Sequence, residues 1–242
     1  MGIAPTEHLL WFDENRKWFE AIPLASYDVA VPTCPGWAVV DVMTHLAFGL
    51  GLAYPVALRT GPNATDGEAL SDVEWPSSIP AGSDAKEAFA VHMSDCSEAF
   101  AAVDPDALCW TYAGPGKARF WLRRAAIETT LHRMDVAEAL EIDDVHIRHD
   151  RVVDALEETI EFALPYGTAI VGVPAAAVTI SVEGHADEFQ LGHGLPNADI
   201  SGDGQAVLSA LWGRHRDGVE ISGDHADADR WMTVIETAFS GR

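Results

Sequence analysis

Basic residues are scarce in this chain: 15 lysines and arginines face 38 acidic residues in 242 positions, a formal net charge of -23. Such a surface repels a phosphate backbone rather than releasing its counterions, so nucleic acid is not an expected partner. A small anion would need a local basic pocket. Cysteine is sparser still. Cys34, Cys96 and Cys109 leave an odd thiol under any pairing and show no CxxC spacing, which fits a reducing cytoplasm. The opening MGIAPTEHLLWFDENRKWFE is charged throughout and lacks the basic start and apolar run of a signal peptide. No stretch reaches about 18 apolar residues without a charge, so no membrane span is expected. Internal repeats and low-complexity tracts are also missing from the sequence.

What is present suffices for folding. With 48% apolar residues the chain is not of disordered composition, and its length allows one large domain or two ordinary ones. Residues 5–21 carry Leu9, Leu10, Trp11, Phe12, Trp18 and Phe19 among charges, an amphipathic helix that stops near Pro23. After Pro35-Gly36 a second helix repeats Val39, Val42, Met43, Leu46 and Leu50 at helical steps, with His45 one turn beyond Asp41. Residues 60–83 are rich in breakers and predict a long surface loop of the kind that often serves as a lid. Asp84 and Glu87 resemble a capping box opening a helix to about Ala102. The longest unbroken stretch, 117–140, would span about 36 Å as a helix. A further helix over 149–164 is predicted to end at Pro165.

From about residue 177 the period changes. AVTISVEGHADEFQLGHG predicts a hairpin around Glu183-Gly184, followed by strand, helix, strand and a closing helix. The expected architecture is α+β: an N-terminal up-down helical bundle over residues 1–165 and a smaller C-terminal α+β domain over 177–242, joined by PYGTAIVGVP.

Chemistry concentrates in RRAAIETTLHRMD, residues 123–135. Trp121, Ala125, Glu128, His132, Asp135 and Ala139 share one helical stripe beside the apolar Ile127, Leu131 and Met134. A carboxylate and an imidazole bordering a core need partners, since desolvating either alone is costly. A metal ion would satisfy both, and His45 is the candidate third ligand, because bundles build metal sites from facing helices. On spacing alone the bland reading stands beside this one: Glu128 and His132 as a surface pair, His45 as a hydrogen-bonded core histidine.

The segments PTCPGWAVVDVMTHLA and WLRRAAIETTLHRMDVAEAL resemble the mycothiol-dependent maleylpyruvate isomerase family, within the DinB-like superfamily of metal-binding four-helix bundles. The later segments DRVVDALEE and ISGDGQAVLSALWGR resemble its interdomain helix and C-terminal domain. The resemblance implies a divalent metal, usually zinc with iron or nickel as alternatives, held by His45, Glu128 and His132, and mycothiol as thiol cosubstrate. Family members often carry a histidine where this chain has Ile127, which puts a further contact in doubt but not the triad. Asp135 matches a frequent family aspartate and could orient a ligand histidine or pair with Arg124 or Arg133. Arg214 matches a frequent family arginine and could anchor a carboxylate or simply cap a helix C-terminus. Asp135 and Arg214 are thus the candidate catalytic residues beyond the ligands, with Arg123 and Arg124 weaker ones. Cys34 reads as structural, His146 and His149 as surface residues, and the tryptophans as core.

An open metal position would deprotonate a bound thiol. That metal-bound thiolate could add to an electron-poor double bond, permit rotation and leave, which is cis-trans isomerisation, or displace a leaving group as a thiol S-transferase. The expected partners are therefore a low-molecular-weight thiol and a small electrophile, with the protein a monomer or homodimer. Two rival readings use the same residues: a non-haem iron enzyme on the facial triad, and a non-catalytic metal-binding or regulatory protein.

Overall fold

A computed structural model describes residues 2–76, 80–142, 145–186 and 188–240. The chain divides into two compact units, Met1–Val145 and His146–Arg242. The first is helical. It holds α1 (Pro5–Glu20), α2 (Val39–Leu46), α3 (Ala53–Arg59), short α4 (Asp66–Ala69), α5 (Gly82–Ala102) and α6 (Arg119–Ala139), with a β-hairpin, β1 (Leu108–Thr111) with β2 (Gly114–Lys117), between α5 and α6. Four long helical runs pack as a bundle: α1 against α5 and α6, and the α2 to α3 run against α5, with α2 also meeting α6. Phe12, Phe19, Met43, Leu46, Phe89, Met93 and Ile127 are fully buried between them, each in line with the helical spacing of its segment.

The second helix departs from the simple periodic expectation. Ala47–Leu52 forms a π-helical turn between α2 and α3, so Val39–Arg59 is one continuous run with a widened middle. Gly49 and Gly51 lie in this turn. A side chain at Gly51 would collide with the His92 backbone on α5, so only glycine allows the two helices to approach this closely. By length and apolar composition this run could cross a membrane, but 56% of its apolar window is buried inside the protein and it carries Asp41 and His45, as a bundle's core helix does.

Several local expectations are corrected. Asp84 lies in the first turn of α5, but the N-cap is Ala81 and no side chain caps the helix there. The box forms instead at Thr65 and Glu68, where Glu68 Oε2 accepts from the Thr65 amide at 2.8 Å and opens α4. The segment read as an open loop is therefore partly anchored, with Ala69 and Val73 buried; its residues 77–79 lie outside the described ones. The β1–β2 hairpin had no period-2 signal, since GPGK presents no alternating side chains. It carries Trp110, whose carbonyl accepts from Trp121 Nε1 at 2.8 Å on α6.

The second unit is α+β. It comprises α7 (His149–Glu158), α8 (Leu164–Val171), β3 (Ala177–Val182), β4 (Phe189–Leu191), β5 (Pro196–Gly202), α9 (Gly204–Leu211), β6 (Val219–Gly223) and α10 (His225–Ser240). The sheet runs β4-β3-β5-β6, antiparallel except for the parallel β3/β5 pair. The predicted hairpin and the strand-helix-strand-helix order are all present. Two boundaries move. The helix begun at 149 does not end at Pro165 but continues through a π-helical turn, Thr159–Ala163, into α8. Pro165 falls in the first turn of α8, where the regular hydrogen-bond ladder is already interrupted and a missing N–H costs little. The expected domain edge at 165 accordingly shifts to 145, because α7 packs on α9 and α8 on α10 within the second unit. Gly167 sets that last contact: a Cβ there would lie 2.0 Å from the Val234 carbonyl oxygen.

Candidate metal centre

The turn PTCPGW precedes α2 and is cross-tied at its base, the Val31 amide donating to the Trp37 carbonyl at 2.8 Å. Gly36 takes φ +86°, a left-handed conformation that glycine adopts without strain. Asp41 Oδ2 accepts from the Ala38 amide at 2.8 Å and starts the helix. Asp41 thus serves the helix N-terminus, and its neighbour one turn on, His45, faces α6.

There the two helices bring three donor atoms together. Glu128 Oε1 lies 3.4 Å from His45 Nε2 and 3.4 Å from His132 Nε2, and suitable ligand atoms of the three residues all fall within 4.8 Å of one another. Glu128 and His132 are buried, while the His45 side chain keeps 23% of its surface exposed and marks the accessible side. His132 Nδ1 lies 3.0 Å from Asp135 Oδ2. With Nδ1–H donating to that carboxylate, Nε2 presents its lone pair to the space beside Glu128. This buried nitrogen makes no hydrogen bond, only the 3.4 Å contact with Glu128 Oε1, an arrangement that a protein seldom leaves without further compensation. Two imidazole nitrogens and one carboxylate oxygen with an orphaned buried donor atom are a fitting set for a divalent transition metal.

The electrostatics favour positive charge at the same point. Burial opposes a charge on His132, but Asp135, Cys34 and Glu128 outweigh it and push its pKa up to about 10. Burial likewise opposes ionisation of Glu128, yet the Arg124 guanidinium and the two histidines hold its carboxyl well below the usual range. Near neutral pH the metal-free site therefore carries a second proton on His132, where a metal ion would otherwise stand. A stability consequence follows from the sign of this shift. The folded-state pKa exceeds the unfolded value of about 6.5, so the contribution is complete below pH 6.5 and lost as pH rises through about 10. Denaturant unfolding of metal-free protein from pH 6 to 10.5 is expected to show this loss relative to a His132→Gln variant; parallel curves for the two proteins would contradict it.

Two residues read as structural line the site. Cys34 Sγ lies 3.4 Å from Asp135 Oδ2 and belongs to a second ligand-like cluster with His132 and Asp135. Trp37, half-buried, stacks its ring 6.2 Å from that of His132 and sets it tilted, 5.2 Å from that of His45. Their only sequence signal was position, immediately before the helix that carries His45. Among the arginines, Arg124 pairs with Glu128 inside the site, and Arg133 reaches Asn15 Oδ1 at 3.4 Å and lies over the Trp18 ring. Arg214 lies in the second unit, where it donates to the Trp212 carbonyl at 2.7 Å just past α9 and covers the Trp212 ring, as a helix C-terminal cation does.

The family profile described as "Mycothiol maleylpyruvate isomerase N-terminal domain" matches residues 10–137, just over half of the chain and all three donors. The chain belongs to this family. Two solved structures share the fold at TM-score 0.66: a mycothiol-dependent maleylpyruvate isomerase at 14% identity and a histidine-to-alanine mutant of such an enzyme at 13%. Each match covers 92% of this chain and 95% of the other, so the likeness takes in both units. A comparison with curated proteins finds no match.

Proposed function

We propose that this family member is a metal-dependent enzyme that uses mycothiol, or a closely related low-molecular-weight thiol, against a small electrophile. One observation carries the reading: His45 Nε2, Glu128 Oε1 and His132 Nε2 converge, with a buried unpartnered nitrogen among them, in a chain of this family. These three residues would hold the metal. When bound there, a divalent metal, zinc in the first instance, supplies the Lewis acidity that makes a thiol a thiolate near neutral pH.

The chain's own residues supply the rest. Asp135 fixes the His132 tautomer by accepting from Nδ1, Arg124 balances the Glu128 charge, and Trp37 covers one side of both imidazoles so that bulk water has fewer approaches. The partly exposed His45 side leaves an approach for substrate. Isomerisation of a conjugated double bond is the first reaction to test and S-transfer the second.

The test is elemental mass spectrometry of the purified protein, followed by incubation with mycothiol and a panel of cis-configured unsaturated acids and alkyl halides. About one zinc per chain and thiol-dependent turnover of either class are expected. Stoichiometric iron with oxygen uptake would replace this reading by oxygen chemistry, and metal-replete protein inert to every thiol and electrophile pair would leave a binding protein.

A further inference from the structure

Glu128 turns its two oxygens to different partners. Oε1 faces both imidazoles at 3.4 Å, while Oε2 is engaged by the Arg124 guanidinium from one turn earlier on α6. Both side chains of this pair are only 6% exposed. Helix stability does not account for the pair. A cation placed four residues before an anion is the weaker orientation along a helix, and burying both charges carries a desolvation cost that their attraction often fails to repay. An arginine held in the bundle interior at that cost points to a task at the carboxylate it holds.

We infer that Arg124 is a positioning residue of the metal centre: by holding Oε2 it confines Glu128 to ligation through Oε1 alone and so keeps a coordination position for the incoming thiol. The inference rests on the metal reading above. A carboxylate is able to bind a metal through one oxygen or both, and catalytic function needs a site left open. With Oε2 engaged in a charge-assisted hydrogen bond, the second mode requires breaking that bond inside the protein. Charge acts in the same direction. The guanidinium offsets the carboxylate, so a divalent ion keeps more of its positive charge toward an anionic ligand. A lysine would retain the charge as a point but not the planar fork that fixes which oxygen is held.

Cobalt(II) serves as the probe, because its visible absorption is intense in four-coordinate sites and weak in sites of higher coordination. Wild type, Arg124→Lys and Arg124→Met are titrated with cobalt(II), checked for folding by circular dichroism, and then given 2-mercaptoethanol while the near-ultraviolet thiolate-to-cobalt band is recorded. The wild type is expected to show intense visible absorption and a thiol-induced band. Arg124→Met is expected to lose visible intensity and the thiol band, and Arg124→Lys to restore part of each. A folded Arg124→Met protein with wild-type spectra overturns the role of Arg124. Should that variant not fold, X-ray absorption on cobalt-loaded wild type decides, and two Glu128 oxygens on the metal overturn the inference. Wild-type protein that takes up neither cobalt nor zinc overturns the metal centre itself, a result distinct from either of the others.

Discussion

Glu128→Ala is expected to remove stoichiometric metal and to destabilise the metal-free bundle by about 3–5 kcal/mol, the range found when one partner of a buried ion pair is deleted. Both effects have one origin. Glu128 supplies the oxygen that faces His45 and His132, and the same carboxylate compensates the buried Arg124. Deleting it leaves a guanidinium at 5% exposure without this counter-charge and withdraws one anion from the protonated His132. His45→Ala separates the two effects: removing its partly exposed imidazole is expected to cost the metal with a smaller loss of stability. A second control, Arg124→Met combined with Glu128→Met, removes both charges and is expected to recover much of the lost stability without recovering metal. Metal analysis and denaturant unfolding of the four proteins check this. Wild-type metal content in Glu128→Ala, or equal stability losses in Glu128→Ala and His45→Ala, would contradict the arrangement described.

Asp135→Asn should change the pH dependence of metal binding more than it changes the fold. In the wild type a metal must displace the proton that Asp135, Cys34 and Glu128 stabilise on His132, so affinity rises about tenfold per pH unit until the pKa near 10 is passed. Without the Asp135 charge the His132 pKa falls, and the slope should flatten at a lower pH. Above pH 10, where neither protein carries the competing proton, the wild type is expected to bind roughly 10–100-fold more tightly, because an amide orients and polarises the imidazole less strongly than a carboxylate. Zinc affinity by chelator competition across pH 6 to 10.5 measures both quantities. Identical slopes would mean that the His132–Asp135 contact at 3.0 Å does not control the proton on the ring.

Much of this candidate site was legible in the sequence. Glu128 and His132 stand four apart on a helix, and helical geometry alone puts them on one face beside the apolar stripe. His45 could be proposed as a ligand because an imidazole in an otherwise apolar helix requires a partner. Arg124 stands four residues before Glu128 and so falls on the same face, but spacing alone does not tell that it engages Glu128 rather than Asp135. Cys34 and Trp37 were less legible still. They belong to a turn, and a turn has no period from which a buried face could be inferred.

The amino-acid sequence by itself determined the class of fold and the order of the strands and helices from residue 177 on, and it offered His45, Glu128 and His132 as candidate donors, because hydrophobic period and residue chemistry are local properties of a chain. Only the tertiary structure decided which donor atoms face one another, which oxygen of Glu128 Arg124 engages, and that Trp37 and Cys34 border the site. It also placed the edge between units at 145 rather than 165 and carried a helix past Pro165. Each of these depends on contacts between residues distant in the chain, or on a π-helical turn whose stability comes from what packs against it, and neither leaves a periodic trace in the sequence.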